Sequence, residues 1–358
     1  MKPILKYLKN FFIKKEILGD YTGLTGLVKA DALLAKLVNE NKVPGLAITV
    51  LDDGKTVFQQ GYGFADIANN IPMDPQHTIL RVGSVSKPIA ATALAIMVEE
   101  GVIDLDASFY QYVPYYPKKE YDFTIKQLAS HTSGIRGYEG KEYALNKPYS
   151  IKESLDIFKD DPLLYKPGEN YIYNTFDWVM ISLAMQEASG VPFDQYVRDK
   201  VLLPLGLNDT QAEIPGQLPE NTAVFYSKMA MKFRKATPVD NRWKLAGGGY
   251  LSTAVDIAKF GQAYLEKRIT DKEVLKQFLT SSKYKDELTW YGLGWEVSND
   301  PQGRSYYGHV GNGVGVYSNF YVYPAEKMVF SIIINCTNPK VQAELNEIID
   351  TIVNSSTS

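Results

Sequence analysis

The chain carries one cysteine, Cys336, in 358 residues. A single thiol excludes an intrachain disulfide and any cysteine-rich zinc site. Histidine is nearly as scarce. His77, His131 and His309 lie far apart, none in an H-E-x-x-H or His-x-His pattern, so neither a metal centre nor a cofactor is expected. No apolar run approaches the roughly 18–20 residues that span a bilayer. The longest, around Ala93–Val98 and Ile332–Ile334, have the length of core elements. A dominant charge sign is missing too: Lys+Arg 38 against Asp+Glu 41 gives a formal −3. That balance offers no whole-chain basic field for nucleic acid, and no nucleic-acid partner is expected. Internal repeats and Pro/Gly/Ser linkers are absent as well.

What remains is an ordinary globular composition, 45% hydrophobic, 22% charged and 12% aromatic, enough for a large core. The first residues, MKPILKYLKNFFIKK, stand apart. Lys6 and Lys9 interrupt what would be the apolar centre of a secretory leader. Ile4, Leu5, Leu8, Phe11 and Phe12 instead line one face of a short basic amphipathic helix. Residues 1–30 are therefore read as a segment that packs on the domain or frays, with weak membrane-surface contact as the alternative. Location stays open between the cell envelope, had a leader been removed, and the cytoplasm.

Patterning along the rest of the chain is informative. Ala32–Val43 has helical spacing through Leu33, Leu34, Leu37 and Val38. Gly45–Leu51 and Lys55–Gly61 read as strands joined at Asp52-Asp53-Gly54. Helical signals dominate residues 84–265, with buried helices expected over Pro88–Glu100 and Phe176–Ala188. Ser150…Glu153 and Thr270…Glu273 have the spacing of capping boxes. Strand character returns at Gly292–Val297, Ser305–Val310, Val314–Tyr323 and Lys327–Asn335. A last helix begins at Pro339 and presents Val341, Leu345, Ile348, Ile349 and Ile352 on one face. Two strands alone are marginal, so the early pair most economically joins the late strands in one antiparallel sheet. The expected fold is α+β: a sheet lobe of about residues 31–83 and 285–355, with a mostly helical lobe of about 84–284 inserted. Together they are expected to form a single domain over 31–355. The groove between lobe and sheet is the default site.

The chemistry-bearing candidate is Gly83-Ser84-Val85-Ser86-Lys87-Pro88, ahead of a long apolar helix. Proline is tolerated in a first helical turn, which pins Ser84 to the helix start and puts Lys87 one turn on, on the same face. Free N–H groups there favour an oxyanion, and the positive helix end together with burial lowers the lysine pKa. The tetrad alone is weak, since Ser282-x-x-Lys285 fits it too. Two later segments strengthen it: Tyr173-Asn174-Thr175 before an apolar helix, and Gly308-His309-Val310-Gly311-Asn312-Gly313 near the C-terminus.

With these three in order, the sequence resembles the serine β-lactamase and penicillin-binding-protein superfamily, in its class C β-lactamase-like branch. That family uses Ser-x-x-Lys, Tyr-x-Asn, then Lys-Thr-Gly or His-x-Gly. His131-Thr132-Ser133-Gly134, Ala246–Thr253 and Tyr291-Gly292-Leu293-Gly294-Trp295 extend the likeness to about residues 30–350. The resemblance implies a β-lactamase/transpeptidase-like fold and a serine hydrolase acting through an acyl-enzyme on a peptide, amide or ester. It assigns Ser84 as nucleophile, Lys87 as base and Tyr173 as proton shuttle. The N–H groups of Ser84 and Asn312 become the oxyanion hole, beside His309 and Gly311. His309 stands where the family has a strand lysine and, when protonated, would bind a substrate carboxylate. One position departs: Thr175 replaces the amide residue, as in the similar mitochondrial β-lactamase-like serine proteases of animals. That replacement weakens the expectation of β-lactam turnover. The alternative is a non-catalytic ligand-binding or filament-forming relative. An α/β-hydrolase would need Gly-x-Ser-x-Gly, and Val82 stands at the first glycine.

Other patterns have plainer readings. Tyr317-Ser318-Asn319 and Glu142-Tyr143-Ala144-Leu145-Asn146 are expected to be structural. Tyr110, Tyr112, Tyr115, Tyr116 and Tyr121 are expected to pack. His131 reads as a satisfied structural histidine and Cys336 as buried and inert. Gly311, Gly313 and Gly315 are expected to let a strand edge approach a substrate.

Overall fold

The computed structural model describes residues 23–230 and 232–356. The amphipathic face of Ile4, Leu5, Leu8, Phe11 and Phe12 lies outside the described residues. The chain divides into two compact units, residues 44–339 and the two chain ends. In the terminal unit, α1 (Gly26–Asn39) meets a last helix, Gln342–Ser356, through the Lys29–Glu347 ion pair at 3.1 Å, and Lys42, just past α1, pairs with Glu344 at 3.0 Å. The latter helix starts at Gln342, so Pro339 precedes it by three residues and does not open it.

The large unit is built on a seven-stranded antiparallel sheet. Its strands are β1 (Gly45–Asp52), β2 (Lys55–Asp66), β3 (Ile71–Pro72), β4 (Glu296–Asn299), β5 (Ser305–Gly313), β6 (Val316–Tyr323) and β7 (Met328–Ile334). Their order is β4-β5-β6-β7-β1-β2-β3, so the early hairpin does join the late strands, across β1–β7. Ile48 pairs with Ile332 and Val50 with Phe330. β-branched and aromatic residues fill these strands because both faces are covered; every residue of β6 and β7 is buried. The expected strand over 292–297 begins only at Glu296, since Gly292–Trp295 make a turn in which Gly292 N donates to Trp295 O.

Between the sheet segments run α2 (Ser86–Glu99), α3 (Phe176–Ser189) and α4 (Ala254–Leu265). The first ten residues of α2 and of α3 are buried. Helices apolar all round belong in the middle of a large core. α4 lies on the sheet, with Phe260 5.6 Å from the Phe320 ring and stacked on Trp295 at 5.9 Å. The Ser150–Glu153 capping box is present. The one expected at Thr270 is not: Asp271 caps that helix, and the Thr270 hydroxyl is drawn off to Glu99. Tyr110 and Tyr116 pack around Phe109, whereas Tyr115 and Tyr121 are exposed.

Candidate active site

Gly83–Val85 form a single 3-10 turn that feeds α2 at Ser86. Neither turn nor helix receives a side-chain cap, so the Ser84 hydroxyl is not spent on the backbone. Gly83 has a φ of +55°, a left-handed conformation that L side chains rarely adopt. The turn is pressed against β5: a Cβ on Gly83 would stand 3.2 Å from Asn312 N, and one on Gly311 2.3 Å from Val82 O and 3.2 Å from Ser84 N. Gly311 thus serves a close approach of the chain to itself. Ser318, from the Tyr317-Ser318-Asn319 triplet on β6, tightens the same contact by donating to Val82 O at 2.7 Å.

The helical spacing brings Lys87 under Ser84. Lys87 is fully buried; its Nζ lies 3.3 Å from Ser84 Oγ and 2.7 Å from the Tyr173 hydroxyl, and donates to Gly247 O at 2.9 Å. Tyr173 closes the triangle, its hydroxyl donating to Ser84 Oγ at 2.8 Å. Burial pulls the amine down to about 7, against the opposing pull of Asp177 and Glu296. The same burial raises the Tyr173 phenol far above its ordinary value. Of the two groups beside the serine, the amine is the one that loses its proton near neutrality.

Tyr173 is set by a buried polar network behind it. Asp177, at the start of α3, accepts from Ser133 Oγ at 2.6 Å and Asn174 Nδ2 at 2.7 Å, and lies 2.8 Å from His131 Nδ1. The His131 ring sits 4.7 Å from that of Tyr173. Only one side of His131 is satisfied, because its buried Nε2 has no partner among the described residues. Burial pushes the Asp177 carboxyl up and the His131 imidazole down.

β5 supplies the other wall. β4 pairs with it only as far as Gly308, leaving the following edge uncovered. Val310 N on that edge donates to Glu296 Oε1 at 3.1 Å. Strand alternation aims the Asn312 N–H along the same edge, toward the Ser84 turn. His309 points inward and is 1% exposed. Its Nδ1 lies 2.7 Å from Val310 O and its Nε2 3.1 Å from the Tyr291 hydroxyl. Burial and nearby Lys87 hold its pKa down at about 3. Burial and Lys87 thus work against the cationic, carboxylate-binding role expected of His309.

Ser84, Tyr173, Thr175, His309 and Asn312 line one cavity of about 710 Å³, with Lys87 beneath it and Gly311 behind. Thr175 precedes α3 and bonds Tyr138. Glu142 is held by Arg136 at 2.7 Å, a structural ion pair. Arg81 is locked onto buried Glu213 and donates to Val314 O at 2.7 Å. Lys244 donates to Tyr143 O at 2.6 Å, with its amine drawn down to about 8 by burial. Sequence reasoning did not reach Glu296, Lys244 or Asp177. Glu296 directly follows the Tyr291–Trp295 segment, and only the β4–β5 pairing shows that it meets the strand bearing His309.

The Beta-lactamase family profile matches residues 30–353. Human serine beta-lactamase-like protein LACTB, mitochondrial, is 29% identical over 82% of this chain and 71% of its own length. Among solved structures, the octameric penicillin-binding protein homologue from Pyrococcus abyssi superposes with a TM-score of 0.79 at 24% identity, covering 92% of this chain and 79% of that one. The D-amino acid amidase from Ochrobactrum anthropi gives 0.80 at 22%, over 91% and 98%. At such identities the superpositions establish the fold, and the profile establishes the kinship. The chain belongs to the β-lactamase family, within the serine β-lactamase and penicillin-binding-protein superfamily of serine hydrolases.

Proposed function

We propose that the protein is a serine hydrolase that works through an acyl-enzyme on Ser84. The triangle of Ser84, Lys87 and Tyr173, closed by distances of 3.3, 2.7 and 2.8 Å, carries this reading. A neutral amine has two N–H groups and one lone pair. Gly247 O takes one N–H and the Tyr173 oxygen the other, leaving the lone pair for the Ser84 hydroxyl. As Ser84 Oγ bonds to the substrate carbonyl carbon, its proton passes to Lys87 and the carbonyl oxygen becomes an oxyanion. The Ser84 and Asn312 N–H groups face that oxyanion. Collapse breaks the bond to the leaving group, which takes the Tyr173 proton, and Lys87 restores it to the phenol. Water then adds to the ester, its proton following the same relay, and Ser84 is released.

The bond cleaved is an ester or an amide, and amide cleavage is the chemistry named for the D-amino acid amidase that shares this fold. Thr175, in place of the family's amide residue, supports ester and peptide-like substrates over β-lactams. Treatment with a fluorophosphonate, followed by peptide mass spectrometry, tests the assignment. The expected adduct is on Ser84 and is lost in Ser84→Ala. Labelling at another residue, or hydrolysis that survives Ser84→Ala, overturns it.

A further inference from the structure

Glu296 is a charged wall of the cleft that the acyl-transfer steps leave unused. Its side chain is 27% exposed, in the cavity that it lines. Oε1 accepts from Val310 N. No cation pairs with this carboxylate among the described residues. His309 Nδ1 is 3.4 Å away, but it turns its N–H to Val310 O at 2.7 Å, and burial disfavours a charge on the ring. Arg81 is committed to Glu213, Lys244 to Tyr143 O, and Lys87 to Ser84, Tyr173 and Gly247. Burial accordingly lifts the Glu296 carboxyl to about 7.

The surroundings are aromatic. Tyr171, Tyr173, Tyr291 and Tyr306 line the same cavity, and the Glu296 charge helps to push each of their phenols up. Tyr291 stands 6.2 Å from the Tyr171 ring and 5.9 Å from that of Tyr173. A carboxylate among aromatic rings is the chemistry that holds an alkylammonium ion, and it repels a carboxylate. Position matters as much as chemistry. The Val310 and Asn312 N–H groups are two residues apart on one strand edge, about 7 Å. A carbonyl held at Asn312 therefore brings the next few atoms of its substrate to Glu296.

We propose that Glu296, walled by Tyr171, Tyr173, Tyr291 and Tyr306, forms a cation subsite that selects substrates carrying an ammonium group close to the scissile carbonyl. The proposal deepens the hydrolase reading and rests on it for the position of that carbonyl. It reverses the polarity expected at His309.

Two substrate pairs test it at pH 8.5. The first is butyrylthiocholine against its neutral isostere, 3,3-dimethylbutyl thiobutyrate. The second pair is the 4-nitrophenyl esters of 4-(trimethylammonio)butyrate and 5,5-dimethylhexanoate. In at least one pair the cationic member should have a kcat/KM about tenfold higher, and Glu296→Gln should bring that ratio to within about twofold of unity. Ratios near one in both pairs, or ratios that survive Glu296→Gln, overturn the subsite. If neither pair is turned over, the hydrolase reading fails for these esters, and calorimetry with phenyltrimethylammonium decides the subsite alone. Binding about tenfold weaker in Glu296→Gln supports it; equal binding, or none to either protein, refutes it.

Discussion

Ser84–Lys87 and Ser282–Lys285 are the same four-residue pattern in two regions of the molecule. The first runs from a 3-10 turn into a helix, where residues three apart share a face, and its lysine is buried beneath its serine. The second crosses a small hairpin, Lys283–Tyr284 against Glu287–Leu288. There Ser282 N donates to Tyr291 O at 2.7 Å, and Lys285 occupies the exposed turn at φ +52°. Burial beneath the Ser84 hydroxyl lowers the pKa of Lys87, because a charged amine is costly out of water. Spacing acquires chemical meaning only with a secondary structure that makes it a contact and a burial that changes the charge.

Exchanging residues between the two copies sharpens this contrast. The largest effect is expected for Ser84→Ala, a loss of at least about 10³-fold in ester or amide hydrolysis, against less than twofold for Ser282→Ala. Steady-state kinetics on both variants checks it. Next, Lys87→Met should lower kcat by about 10²–10⁴-fold, whereas Lys285→Met leaves it unchanged. Tyr173→Phe should cost about 10²-fold in kcat, with the Ser84 adduct still forming slowly under fluorophosphonate.

Lys87 should also set the pH dependence of the reaction. The Lys87 amine must be neutral to act, so kcat/KM should rise about tenfold per pH unit below about 7 and level above it. A profile flat from pH 5 to 8 would count against the amine as base. Stability gives the smallest and most discriminating signal. Between about pH 7 and the ordinary lysine value of 10.5, the unfolded chain holds a proton at Lys87 that the folded chain lacks. Folding therefore becomes more favourable as pH rises through that window. Lys87→Met should gain about 1–3 kcal/mol at pH 7, with the gain fading toward pH 10, whereas Lys285→Met should change stability by less than about 0.5 kcal/mol. Urea melts at several pH values measure both.

Much of this was legible in the residues. Alternating and apolar runs at both chain ends announced one sheet, and the apolar stretches after Pro88 and Thr175 announced buried helices, because periodicity and turn residues are local signals. The ordered tetrad, triad and His-x-Gly brought Ser84, Lys87 and Tyr173 forward before any geometry. What stayed hidden depends on register and on packing between distant segments. Glu296 meets Val310 only through the pairing of β4 with β5. The fate of His309 rests on burial, which a motif does not encode. Thr270 and Asp271 are both good caps, and Glu99, 171 residues away from Thr270, decides between them. The close approach of Gly311 to Val82 and Ser84 likewise joins segments far apart in sequence.

The lone cysteine has a practical consequence. Cys336 is 0% exposed and its thiol is pushed up to about 11 by burial, so alkylating reagents at neutral pH have no native target. A cysteine placed at Trp290, on the rim of the cleft and 52% exposed, would be the single addressable thiol of the chain. A fluorophore or spin label attached there would report the arrival and departure of acyl donors in real time, with no background mutation needed.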